Sequence, residues 1–77
     1  MRKSIYTERQ VRFCTLLRAA RKEADLTQKQ LAKRLRTYPS YISRYERGTR
    51  RLDVIEFLAV AEALGLDPCK VLTTVRG

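Results

Sequence analysis

The chain has 77 residues, a hydrophobic fraction of 44% and a formal net charge of +9. That length supports one core and no more, and the composition is too apolar for disorder, so a single domain over residues 1–77 is expected. No stretch approaches the roughly 18 apolar residues of a membrane span. Glu8, Arg9, Gln10 and Arg12 break any apolar run behind Arg2 and Lys3, which argues against a signal peptide, for a cytoplasmic location and against a membrane partner.

The first element opens at Thr7-Glu-Arg-Gln10, a capping box with Tyr6 and Val11 as its hydrophobic staple. Val11, Cys14, Leu17, Ala20 and Ala24 then recur at helical spacing, with Phe13 and Leu16 widening the stripe, over about residues 8 to 24. Thr27-Gln-Lys-Gln30 is a second capping box with Leu26 and Leu31 as staple. Its helix turns Leu31, Ala32 and Leu35 inward and Lys29, Lys33 and Arg34 outward. Pro39 suits the first position of a third helix, whose inner stripe is Ile42 and Tyr45 and whose end is marked by Gly48. Asp53-Val-Ile-Glu56 caps a fourth helix, stapled by Leu52 and Phe57, which buries Phe57, Leu58, Ala61 and Leu64 and stops at Gly65. Asp67 and Pro68 open a short fifth helix, with Leu66 packing towards Val71 and a frayed tail at Thr73–Gly77. No run alternates as a strand does, so the fold class is all-α, a compact five-helix bundle.

Several chemistries are excluded by what is missing. Without histidine, a glycine-rich phosphate loop or metal-ligand spacing, neither an enzyme nor a cofactor nor a metal site is expected. Cys14 and Cys69 fall inside apolar stripes without a CxxC pattern; a disulfide would need an oxidising compartment, and buried free thiols are the better reading. No small-molecule effector site is evident.

The charge is unevenly distributed. Residues 1–27 carry a net +4, residues 28–51 a net +7 and residues 52–77 a net −2. The excess lies on the second and third helices and the loop behind them, an asymmetry that draws a polyanion to one side. Two short amphipathic helices joined by a tight turn over about residues 27–48, with basic and hydroxylated outer positions, fit a helix-turn-helix.

Leu16-Leu-Arg-Ala-Ala-Arg21, Leu26-Thr-Gln28, Leu31-Ala32, Ile42-Ser-Arg44, Glu46-Arg-Gly48 and Ala63-Leu-Gly65 together resemble the helix-turn-helix domain of the XRE family, that of Cro and the lambda-type phage repressors. The resemblance covers about two-thirds of the chain. It implies a lambda-repressor-like domain that binds double-stranded DNA, with the helix-turn-helix at helices 2 and 3. It also implies a glutamine clamp on the DNA backbone at Gln28 and a structural ion pair between Arg21 and Glu46.

The residues support roles of their own. Gln28 stands among the free N–H groups of a helix start, where a phosphate meets the positive end of the dipole. Ala32 must be small for the helices to cross closely, and Ile42 belongs to the core. Pro39, Ser40, Ser43 and Arg44 share the outer face of the third helix and are the candidate base contacts. Arg44 can offer paired donors to guanine, and Pro39 an apolar contact to a thymine methyl. Tyr41 can reach a phosphate or a base. Arg47, Thr49, Arg50 and Arg51 suit phosphate contact, or for one arginine a narrow minor groove. The sequence departs from the family at Arg36, where a glycine usually supplies a positive φ, and at Tyr38, where a serine cap is common. At Arg36 either the turn changes geometry or the residue accepts strain.

The expected function is a sequence-specific transcriptional regulator, a repressor binding a near-palindromic operator as a homodimer. Dimer contacts are expected from the segment about 66–77, through Leu66, Val71, Leu72 and Val75. The rival is an antitoxin-like protein-interaction module on the same fold, which explains the basic two-helix unit poorly. RNA binding lacks an evident stacking platform, and membrane-surface binding lacks a basic helix with large exposed hydrophobes.

Overall fold

The computed structural model describes residues 7–77; the staple residue Tyr6 and the basic pair Arg2 and Lys3 lie outside them. Among the described residues there are five α-helices and no strand: α1 (Glu8–Glu23), α2 (Gln28–Leu35), α3 (Pro39–Arg47), α4 (Val54–Leu64) and α5 (Pro68–Arg76). Four of the five starts are fixed by a side chain. Thr7 Oγ1 accepts from the Gln10 N–H at 3.2 Å, and Asp67 accepts from the Cys69 N–H at 2.9 Å. Thr27 with Gln30, and Asp53 with Glu56, close reciprocal capping boxes at 2.7–3.1 Å. Each box satisfies backbone donors that the helix itself cannot.

The stops share one geometry. Asp25, Arg36, Gly48 and Gly65 take φ values of 61°, 57°, 80° and 68°. In each case the following N–H reaches back to a carbonyl of the last turn: Leu26 to Arg21 at 3.2 Å, Thr37 to Ala32 at 2.9 Å, Thr49 to Arg44 at 2.9 Å and Leu66 to Ala61 at 2.8 Å. This is the Schellman closure, and it keeps every connection short enough to force neighbouring helices together. Arg36 therefore keeps the turn geometry and accepts the strain.

Leu17, Leu31, Ala32, Ile42, Tyr45, Phe57, Val60, Ala61 and Val71 form one buried cluster drawn from all five helices. The Phe13 ring meets Phe57 edge-on at 5.2 Å. α1 packs against α3 and α5, and α2 against α3 and α4, so the buried side of α3 is the one bearing Ile42, Tyr45 and Glu46.

Several expectations from periodicity fail at the edges of stripes. Leu58 is exposed, because Phe57, Val60 and Ala61 take the inward positions of α4. Val11 is exposed in the first turn of α1, at the rim of a cleft it shares with Arg47 and Gly48, and Ala24 is exposed just past the helix end. Cys14 is a buried free thiol but Cys69 is an exposed one. It precedes the inward Val71 by two residues and so lies about 200° round the helix from it. The tail is helical to Arg76. Arg12 donates to the Val75 carbonyl at 2.6 Å and Arg9 to the Arg76 carbonyl at 3.4 Å, placing cations at the negative end of α5.

Candidate nucleic-acid interface

α3 is held at its inner face and at its C-terminal end. Arg21 Nε donates to Glu46 Oε2 at 2.7 Å and its Nη2 to Oε1 at 3.1 Å, a paired contact between side chains only 9% and 2% exposed. Arg21 Nη1 donates to the Leu26 carbonyl at 2.8 Å, and Gln28 Nε2 donates to Glu46 Oε1 at 3.1 Å. The pair thus joins α1, the α1–α2 turn, the start of α2 and the inner face of α3. The hydrogen bond to Glu46 outweighs desolvation and raises the Arg21 pKa further above its usual value. At these exposures the two charges are sound only because each has several partners.

With that side fixed, Pro39, Ser40 and Arg44 are left exposed and Ser43 half-buried on the other. The four residues expected to touch bases therefore share the open side of one helix. Gln28 is the first residue of α2, as a clamp requires. Its amide nitrogen is oriented by Glu46, and an amide has a second N–H to offer. Arg47 and Arg51 are exposed at the end of α3 and in the loop behind it.

Besides Gln28, the expected backbone contacts Thr49, Arg50 and Tyr41 make contacts within the chain. Thr49 Oγ1 donates to the Arg44 carbonyl at 3.1 Å and closes the end of α3. Arg50 makes a paired contact with Glu56, Nη2 to Oε2 at 2.8 Å and Nη1 to Oε1 at 3.2 Å, and also donates to the Arg51 carbonyl at 3.0 Å. The same guanidinium lies 4.6 Å from the centre of the Tyr41 ring, which meets Tyr45 edge-on at 5.7 Å. Arg50, together with the Asp53 N–H, holds the Glu56 carboxyl down from 4.5 to about 2. Burial pushes the Tyr41 and Tyr45 hydroxyls up, and the buried Tyr45 hydroxyl has no hydrogen-bond partner among the described residues.

This geometry has close counterparts. A helix-turn-helix family model matches residues 17–71. The chain belongs to the XRE family of helix-turn-helix proteins. An XRE-family-like protein from Pseudomonas syringae pv. tomato is 40% identical, over 95% of this chain and 89% of that one, with a TM-score of 0.86. The clp gene regulator ClgR from Corynebacterium glutamicum is 29% identical over 90% of both chains, with a TM-score of 0.80. The restriction-modification controller protein C.AhdI from Aeromonas hydrophila is 32% identical over 80% of this chain and 90% of that one, with a TM-score of 0.74. No curated protein gives a significant match. As an XRE-family member the chain is a DNA-binding transcriptional regulator.

Two features of this XRE domain escape sequence reasoning. The Arg50–Glu56 pair spans a loop, where no helical period links its partners, although Glu56 was marked by its capping box. The expected dimer segment also divides: Val71 is 4% exposed in the core of its own chain and Leu66 and Val75 pack against that core, leaving Leu72 exposed. Val71 is thus a core residue, because α5 turns it in towards α1 and α4. The larger exposed aliphatic surface is Val54, Ile55 and Leu58 on α4. Among the described residues no group of side chains could hold a metal ion, and no helix is long and apolar enough to cross a membrane.

Proposed function

We propose that the protein is a sequence-specific repressor that binds a near-palindromic DNA site as a homodimer. The observation that carries this reading is the side of α3 left open by the Arg21–Glu46–Gln28 network. It presents Pro39, Ser40, Ser43 and Arg44 together, beside the cationic end of the helix. In the complex those four residues face base edges, with Arg44 donating to guanine O6 and N7. Gln28, Arg47 and Arg51 contact phosphates directly. Thr49, Arg50 and Tyr41 serve the backbone contacts by holding the loop and the end of α3 in place.

Two copies suit a site with two half-sites. Successive major-groove faces lie roughly 34 Å apart. One copy presents a single α3, so a site with two half-sites takes two. Repression needs only occupation of the promoter. The likeness to the regulators ClgR and C.AhdI supports a regulatory protein over an enzyme or a pure interaction module.

Selection of sites from random duplexes, repeated at several salt concentrations, tests the proposal. An enriched motif with two-fold symmetry is expected, retained as salt rises. Binding without an enriched motif that vanishes with salt would refute sequence-specific recognition.

A further inference from the structure

The large hydrophobic side chains exposed among the described residues fall into two groups. Val11, Val54, Ile55, Leu58 and Leu72 are aliphatic and lie on α1, α4 and α5. Tyr38 is the exception: it is aromatic, 77% exposed, and stands at the leading end of α3. It makes no side-chain cap, so among the described helices α3 alone starts without one. Thr7, Thr27, Asp53 and Asp67 occupy the same position on the others and all accept a backbone N–H. The chain thus gives up a stabilising cap on the recognition helix and places there a largely exposed ring. Local rules broken without a structural return mark a functional position.

We propose that Tyr38 is a specificity-determining residue, whose ring packs against the 5-methyl group of a thymine in the major groove. This rests on the sequence-specific DNA-binding reading above. Residues at the start of a recognition helix reach the base edges first. Tyr38 and Pro39 are consecutive and both exposed, so this end of α3 offers apolar surface ahead of the polar Ser40. The thymine methyl is the apolar group that the floor of the major groove presents. Tyr38, at the start of the helix, complements Arg44 in its later part, which addresses guanine.

The test uses the site enriched by the wild-type protein, with each thymine replaced in turn by deoxyuridine, which lacks only the methyl. At one thymine per half-site the replacement should weaken wild type and Tyr38→Phe by roughly fourfold, the worth of one buried methyl. Tyr38→Ser should bind the thymine site more weakly, lose that sensitivity, and melt at a higher temperature because the serine restores a cap. Higher melting also shows that weaker binding is not a folding defect. Equal deoxyuridine sensitivity in wild type and Tyr38→Ser overturns the proposal, since the methyl then touches Pro39 or another residue. So does a loss in Tyr38→Phe equal to that in Tyr38→Ser, which assigns the hydroxyl to a phosphate. An enriched motif with no such thymine overturns this inference alone. No enriched motif at all overturns the reading on which it rests.

Discussion

Arg36 shows what a single residue contributes to the turn between the two DNA-binding helices. Its φ of 57° and ψ of 45° lie in the left-handed region, where an L side chain crowds its own backbone. The closure nonetheless forms, with Thr37 N–H on the Ala32 carbonyl at 2.9 Å. The hydrogen bonds and the packing of α2 on α3 therefore outweigh the strain. Arg36→Gly should relieve it and stabilise the fold by about 1 kcal/mol, read from the denaturant midpoint. The missing glycine was visible in the sequence, but the choice between strain and a different turn was not. That choice depends on tertiary packing, which a local pattern does not contain. Leu58 and Cys69 make the same point: each fits an apolar stripe, and each lies just outside the arc that a neighbouring helix covers.

At the scale of elements, two arginine–carboxylate pairs anchor the recognition helix, and they differ in kind. Arg21–Glu46 is buried, so losing one partner strands the other charge away from water. Glu46→Ala should cost about 3–5 kcal/mol, a large part of a small domain's stability. It should also weaken DNA binding by releasing Gln28. The resemblance to the XRE family implied this pair, and Glu46 stood out as the one acidic residue between 28 and 51.

Arg50–Glu56 is part-exposed and ties the loop to the start of α4, with Tyr41 of α3 beneath the guanidinium. The Glu56 carboxyl is depressed in the folded state, so its contribution is present above the ordinary value of 4.5. It is lost as pH falls towards about 2. Glu56→Gln should therefore unfold at lower denaturant than wild type near neutral pH, and the gap should narrow as pH drops through that window. DNA affinity gives an independent reading. If Arg50 simply touched phosphate, removing the neighbouring negative charge would tighten binding. If it holds α3 and the loop in place, Glu56→Gln binds more weakly despite the lost charge, and weaker binding is the expected result. Sequence alone made Arg50 one of several loop cations, because the contact that distinguishes it crosses from a loop to the next helix.

At the scale of the molecule, the charge asymmetry and the apolar surface answer different questions. The basic α2–α3 side is the one proposed to face DNA, and its charge says nothing about how copies associate. Val54 and Ile55 are 71% and 73% exposed, and Leu58 follows on the same side of α4 one turn later. Side chains of this kind left together on the surface of a small domain favour contact with another protein, and the near-palindromic site proposed above would be the reason for that protein to be a second copy. The proposed interface is therefore better placed on α4 than on α5, since Val71 is spent on the core and Leu72 alone remains exposed among the four residues first expected there. Ile55→Glu sets a charge in this surface without touching the core or the DNA-binding side. The variant should sediment as a monomer at concentrations where wild type is a dimer, with unchanged helix content and melting no longer dependent on concentration. Its affinity for a single half-site should match wild type, whereas affinity for the full site should fall by roughly 10²- to 10⁴-fold as the second contact ceases to be intramolecular. A wild-type protein that sediments as a monomer and binds full and half-sites alike would remove the homodimer, and with it the reason for expecting a palindrome.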